Sequence, residues 1–345
     1  MVAEGGPAGE GSHVQFSANS VRTRDLCGDT FVKAFHRHPE ERRGLCRDKT
    51  DLSRHRLVRQ TVFIENGFDL RLEMAPKLSI VVPAFNEAER LGASLPAIVS
   101  YLDQRRDASE LIVVDDGSDD DTAAVAEQSL RDSATVALRV IRYEPNRGKG
   151  HAVRTGLMAA QANIVLFSDA DLSTPITEAP KLVDPILNGE CDLTFGSRAL
   201  DRSLIGVHQP WRREQGGRVF NLIVRMATGL PFWDTQCGFK AFRMNVCRPL
   251  IEAAQIDRFG FDVELIYLAY LAHLRLREVP VRWDHDPASK VSVMRDSFRM
   301  FDEVRRIRRE VDRGIYSEAI SAARTAAMVE IKQGLSASPY RSAEA

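Results

Sequence analysis

From about residue 78 onward, apolar residues fall into short β-branched runs that alternate with stretches of helical spacing. The run "LSIVVPAF" (78–85) stops at polar residues. "EAERLGASLPAIVSYLD" (87–103) then repeats its apolar positions every three to four residues, with Pro96 as a candidate kink. The couple recurs. "LIVVDDG" (111–117), "VALRVIRY" (136–143) and "NIVLFSDA" (163–170) read as strands, and "DDDTAAVAEQSL" (119–130) and "GKGHAVRTGLMAAQ" (148–161) as helices. Near-continuous apolar strands separated by helices predict an α/β, Rossmann-like, mostly parallel sheet with helices on both faces. In such sheets ligands bind beyond the carboxyl ends of the strands.

The second half is less regular. "CDLTFGSR" (191–198) and "RLREVPVRW" (275–283) read as strands, and "QCGFKAFRMN" (236–245) as strand and turn. "WRREQGGRVFNLIVRMATGL" (211–230) starts polar and becomes an amphipathic helix, and "FDVELIYLAYLAHL" (261–274) reads as a buried one. "SVMRDSFRMFDEVRRIRREV" (292–311) is a basic amphipathic helix whose apolar positions include Phe298, Phe301, Val304, Ile307 and Val311. It has two readings: a helix packed on the domain, or one lying on an anionic bilayer.

Residues 1–73 are Gly-, Arg- and His-rich with weak periodicity, and are expected to form a poorly ordered or accessory arm with a short hairpin around Asn66-Gly67. Organisation changes at Met74, which is also a candidate alternative start. The main domain is placed at 74–312, followed by a C-terminal helix and flexible tail over 313–345.

Composition narrows the function classes. Of 345 residues, 44% are hydrophobic and 28% charged, and the net charge is −1. Such a balance gives no global field for nucleic acid or a membrane surface. The five cysteines are scattered and none forms C-x-x-C, so neither a disulfide framework nor a zinc site is expected. No run approaches the ~20 apolar residues of a membrane span. The expected location is cytoplasmic, with peripheral contact to the membrane face left open.

The chemistry gathers at four consecutive strand ends. They carry Asn86 and Glu87, then Asp115, Asp116 and Ser118, then the "NRGKGHAVRTG" segment with Lys149, then Asp169 and Asp171 in "SDADLSTP". Helix starts and turns explain the first three groups equally well. The last pair is harder to explain so. Two carboxylates one residue apart after a buried strand repel each other unless a cation intervenes. A hard divalent cation shared with diphosphate oxygens removes the repulsion.

In this order, "SIVVPAFNEAERL", "LIVVDDGSDDDT", "NRGKGHAVRTG" and "SDADLSTP" resemble the nucleotide-sugar half of family 2 glycosyltransferases. The later series "FGSR", "DTQCGFKAFR" and "FGFDVELIYLA" resembles that family's dolichyl-phosphate β-glucosyltransferase branch, related to the dolichyl-phosphate mannose synthases. The resemblance covers roughly 78–310. It implies a GT-A fold and an inverting transfer of a hexose, glucose by branch, from a UDP-sugar to a polyprenyl phosphate. A soluble phosphorylated or hydroxyl acceptor, or a non-catalytic nucleotide-sugar-binding protein, are the alternatives.

The same resemblance implies roles. Pro83, Phe85 and Glu87 line the nucleoside pocket, Asp116 contacts the base, and Lys149 sits by base and ribose. Asp169 approaches the ribose and metal region. Asp171 binds Mg2+ or Mn2+, with Ser173 standing where the mannose synthases have a metal-ligating Gln. Arg198 and Arg213 face the acceptor phosphate. Ser289 and Lys290 clamp phosphates from the far side. Asp234 is the general-base candidate for a hydroxyl acceptor, and Asp262 and Glu264 organise the site.

Overall fold

The computed structural model describes residues 75–105, 107–129, 136–207, 211–285 and 293–336, except for the side chains of 211–214, 293–298 and 332–336. The expected arm at 1–73, with its hairpin, lies outside the described residues, as do Ser289 and Lys290.

Every apolar run at the start of the domain is a strand. β1 (Leu78–Ala84), β2 (Ser109–Asp115), β3 (Val136–Arg142) and β4 (Ile164–Ser168) alternate with α1 (Ala88–Arg105), α2 (Thr122–Gln128) and α3 (Lys149–Ala159). β5 (Leu193–Ser197), β6 (Ile205–Val207), β7 (Phe239–Arg243), β8 (Leu276–Pro280) and β9 (Trp283–Asp284) follow. Their helices are α4 (Ala179–Leu187), α5 (Trp211–Thr228), α6 (Met244–Ala253), α7 (Phe261–Leu271), α8 (Val293–Asp312) and α9 (Ser317–Ser336). The main sheet has the order β3-β2-β1-β4-β7-β5-β8, while β6 and β9 form a small second sheet. β1 to β4 are parallel neighbours, so their carboxyl ends lie along one edge. β7 runs antiparallel between β4 and β5. The mostly parallel, doubly covered sheet of the GT-A expectation is present.

Alternation along the strands builds two cores. Val81, Ile112, Val114 and Phe167 face the layer that includes α3, α6, α7 and α9. Ile80, Val82, Leu111 and Leu166 face α1 and α4. In α1 the buried Leu91, Leu95, Ile98 and Leu102 form one stripe, and the helix continues through Pro96. α5 is helical from Trp211, so its polar opening is a first turn rather than a separate segment. No helix is expected from the sequence at α4 or α6, although each buries an apolar stripe at helical spacing; both are short and continue through an internal proline, Pro185 and Pro249.

α8 packs on the domain. Val304 and Ile307 are fully buried, and the helix lies against α5 and α7. Burying such side chains stabilises by roughly 1.5–3 kcal/mol each, which a helix lifted onto a bilayer would forfeit. Phe301 is partly exposed beneath the Arg305 guanidinium. Phe298 lies among the undescribed side chains. No helix among the described residues is long and apolar enough to cross a membrane.

The C-terminal segment closes this side of the core. α9 packs on α6 and α7, and Tyr316, just before it, is fully buried. The Tyr316 hydroxyl reaches Glu264 Oε1 at 2.7 Å and Glu310 Oε2 at 2.9 Å. Glu264 in turn accepts the backbone amides of Gln255 (2.8 Å) and Ile256 (3.0 Å). Tyr316→Phe should therefore leave buried carboxylate oxygens short of a donor and cost about 1–3 kcal/mol. Denaturant unfolding at neutral pH checks this, and an unchanged midpoint would contradict it.

Candidate active site

The loops after β1 and β2 are stitched to each other. Asp116 N donates to the Ala84 carbonyl at 2.9 Å. Asn86 adopts a left-handed backbone conformation, φ 55°, which turns the chain out of β1. Its amide donates to Ser118 Oγ and its side-chain oxygen accepts from Asp119 N, both at 2.8 Å. Glu87 N donates to Thr122 Oγ1 at 2.9 Å, and its carboxylate pairs with Arg90 at 2.8 Å. Pro83 is buried within β1, whereas Phe85 stands 40% exposed at the strand end.

Asp116 is buried and holds the entry to α3. Its Oδ1 accepts from Arg147 N, and its Oδ2 from Gly148 N, both at 2.8 Å. Oδ2 also accepts from Asn146 Nδ2 at 2.9 Å. Three donors take most of a carboxylate's four lone-pair sites, so its first task here is to shape the loop that presents Lys149. Gly148 has φ 116°, and a side chain there would overlap the Asp257 carbonyl. The loop therefore requires glycine at this point.

Lys149 reaches the fourth strand end. Its Nζ lies 2.7 Å from Asp169 Oδ1 and 5.7 Å from the Phe167 ring centroid. Burial pushes its pKa down, but Asp169, Asp262 and Asp171 push it up and prevail. The expectation placed Lys149 by the base and ribose. The structure places its charge at the D-x-D turn, on Asp169, the residue expected to approach the ribose and metal region.

The turn itself is tight. Leu172 N donates to the Asp169 carbonyl, and Leu172 has φ 48°, uncommon for a branched residue. This conformation brings the two aspartates together. Asp171 Oδ1 accepts from Ser173 N at 2.9 Å, and the Ser173 side chain also hydrogen-bonds Asp171. Burial, then the Asp169 charge, raises the Asp171 pKa. Among the described residues no group of three or more His, Cys, Asp or Glu side chains is arranged to hold a metal. A pair of carboxylates with a hydroxyl nevertheless fits a hard cation that takes its remaining ligands from phosphates and water.

Arg198 sits at the end of β5 in a carboxylate fork. Its Nε and Nη2 donate to Asp234 Oδ2 and Oδ1 at 2.7 and 2.8 Å, and its backbone amide adds a bond to Oδ2 at 3.0 Å. Gln236 N completes the set at 3.1 Å. Asp234 is buried, which raises its pKa, but Arg198 outweighs this and holds it at about 2. A carboxylate so acidic, with both oxygens occupied, is poorly suited to the general-base role expected of Asp234 and in this structure orients the arginine. The side chain of Arg213, on α5, lies outside the described ones.

Sequence reasoning missed four residues here. Glu278 accepts from Ser197 Oγ (2.7 Å), Trp233 N (2.9 Å) and Asp234 N (2.8 Å). Gly238 accepts the Asp169 amide with its carbonyl, and any side chain at 238 would overlap the Asp169 carboxylate. Trp283 lies beneath the Arg198 guanidinium, 5.6 Å away. Lys240, buried in β7, pairs with Asp262 at 2.6 Å. Only Gly238 left a trace in the pattern, as a glycine entering a strand.

A family model described as glycosyl transferase family 2 matches residues 79–250. The chain is 35% identical over 236 residues to a dolichyl-phosphate beta-glucosyltransferase of Drosophila melanogaster, spanning 64% of this chain and 72% of that protein. A human protein of the same name is 34% identical over 227 residues, spanning 62% and 69%. Among solved structures, glucosyl-3-phosphoglycerate synthase from Mycobacterium tuberculosis is 22% identical with a TM-score of 0.45, over 71% of this chain and 80% of that one. That likeness is too loose to bear on ligands.

The Arg198–Asp234 fork has a signature in acid. Asp234 falls from its ordinary 3.8 to about 2 on folding. A lowered carboxylate pKa contributes stability above the unfolded value and loses it as pH falls through the folded one. The contribution, about 2 kcal/mol, should be present above pH ~4 and vanish towards pH ~2. Unfolding free energies of wild type and Asp234→Asn, measured across that window, should converge by this amount. Parallel pH profiles would contradict it.

Proposed function

The chain belongs to glycosyl transferase family 2, and from that premise we propose that it transfers glucose, with inversion, from UDP-glucose to a polyprenyl phosphate of the dolichyl type. The names of its curated relatives support the donor and acceptor classes. The observation that carries the reading is the Arg198–Asp234 fork. The residue best placed by sequence to act as a base is spent on orienting a guanidinium. That arrangement suits a phosphate acceptor and not a hydroxyl one.

A phosphate monoester has a second pKa of about 6 and is largely dianionic at neutral pH. It attacks the anomeric carbon without losing a proton, so the protein's work is to neutralise and aim it. Arg198 does this with the guanidinium edge that Asp234 leaves free, and Arg213 assists from α5. Trp283 fixes the plane of the Arg198 guanidinium from below. Lys149 meets the charge that develops on the departing diphosphate. A Mg2+ or Mn2+ ion held by Asp169, Asp171 and Ser173 would supply Lewis-acid stabilisation of that same leaving group. Pro83, Phe85 and Glu87 wall the nucleoside, and Asp116 shapes its floor through the 146–148 loop.

One feature favours a lipid acceptor over a soluble one. Val219, Leu222 and Met226 repeat along a single face of α5 and are 57%, 54% and 78% exposed. This strip lies on the helix that carries Arg213 and offers an apolar surface to a polyprenyl chain. The reading places the reaction at the cytoplasmic face of a membrane.

Labelled UDP-glucose, incubated with the protein, cation and polyprenyl phosphate, should yield label that partitions into organic solvent. Label appearing only in a water-soluble product would overturn the lipid acceptor. Activity only with another sugar nucleotide would overturn glucose. Asp171→Asn should lower transfer by about 100-fold or more while unfolding at the wild-type midpoint. Full activity in the variant, or in excess chelator, would remove the cation from the mechanism.

A further inference from the structure

The catalytic steps make no use of Lys240, yet it occupies the least expected place for a lysine. It stands mid-sheet in β7, opposite Phe167 of β4 and Phe195 of β5, and is fully buried. Taking an ammonium out of water costs several kcal/mol even after relaxation. Its Nζ contacts Asp262 Oδ1 at 2.6 Å and the Cys237 carbonyl at 2.5 Å. Asp262 lies in the first turn of α7, also buried.

Two lysines approach the Phe167 ring. Lys149 Nζ is 5.7 Å and Lys240 Nζ 5.9 Å from its centroid. Lys149 is paired with Asp169, Lys240 with Asp262. The pairs are neighbours through the shared Phe167 ring, and the Asp262 carboxylate also acts on the Lys149 ammonium. Lys149 therefore stands between two carboxylates, and which one it serves depends on whether Asp262 is already satisfied. A buried carboxylate stripped of its partner is strongly destabilised, and the flexible stem of a lysine lets it answer that demand.

We propose that Lys240 is a positioning residue: by occupying Asp262 it keeps the Lys149 ammonium on Asp169, at the diphosphate end of the donor site. What Lys149 does there rests on the proposed function; where it sits does not. Without Lys240, Lys149 turns inward to Asp262, and Asp169 and Asp171 face each other uncompensated. The bond from Lys240 to the Cys237 carbonyl adds to the effect, since Cys237 precedes the glycine that cradles Asp169.

Two experiments on the full chain test this. A crystal structure of Lys240→Met should show Lys149 Nζ within hydrogen-bond distance of Asp262 and no longer of Asp169; Lys149 still on Asp169 would overturn the proposal. The second uses Lys240→Met/Asp262→Leu, which removes both ends of the buried pair and leaves the interior close to neutral in stability. Donor turnover should fall about tenfold or more in the single variant and rise again in the double, in which Lys149 has no competing carboxylate to turn to. A folded double variant as impaired as the single, or inactive by itself where the single does not fold, would overturn the proposal. A purely structural pair would instead make activity follow the melting temperature in both variants. A wild-type protein without transferase activity would sink the proposed function while leaving the crystallographic test of Lys149 in force.

Discussion

The site depends on one close approach, that of the 234–238 segment to the end of β4. Gly238 lies against the Asp169 carboxylate with no room for a side chain, and its carbonyl takes the Asp169 amide at 3.1 Å. Four residues earlier the same segment carries Asp234, the partner of Arg198. One short stretch thus fixes both Asp169 of the D-x-D turn and Arg198, the residues to which the proposed function gives the donor and the acceptor. β7, antiparallel between β4 and β5, is what brings the segment there. The two halves of a group transfer must be held in line to within fractions of an ångström, and a shared anchor meets that need.

The charges at the site follow a simple pattern. Asp169, Asp234 and Asp262 are each matched by a basic side chain, Lys149, Arg198 and Lys240, at 2.7, 2.7 and 2.6 Å. Among the described residues, Asp171 has no such ion pair, and its carboxyl is pushed towards the neutral form by burial and by Asp169. Asp171, largely buried and without such a partner, is the carboxylate of this group left for a cation, which would take its remaining ligands from substrate and water.

Much of this was legible in the chain. The four strand ends with their polar residues fell out of alternation alone, because β1 to β4 are parallel, buried and consecutive. The D-x-D turn and Arg198 were visible as residue types in the right order. What was hidden is three-dimensional. Nothing in "QCGFKAFRMN" announces an antiparallel strand inserted between two others, so the roles of Gly238 and Lys240 could not be seen. Asp234 read as a base because a lone aspartate in a loop does not reveal the arginine 36 positions away that neutralises it. The apolar face of α8 was equally ambiguous, since packing on a domain and lying on a bilayer require the same periodicity.

The coupling of the two halves is tested most directly at a residue that lies against one of them. Gly238→Ala adds a single methyl whose three nearest neighbours all belong to the Asp169 carboxylate. If the segment anchors both sides, the KM for donor and for acceptor phosphate should both rise, and kcat should fall, in a protein that still unfolds cooperatively. A variant with wild-type kinetics for both substrates, or one altered towards the donor alone, would contradict the shared anchor.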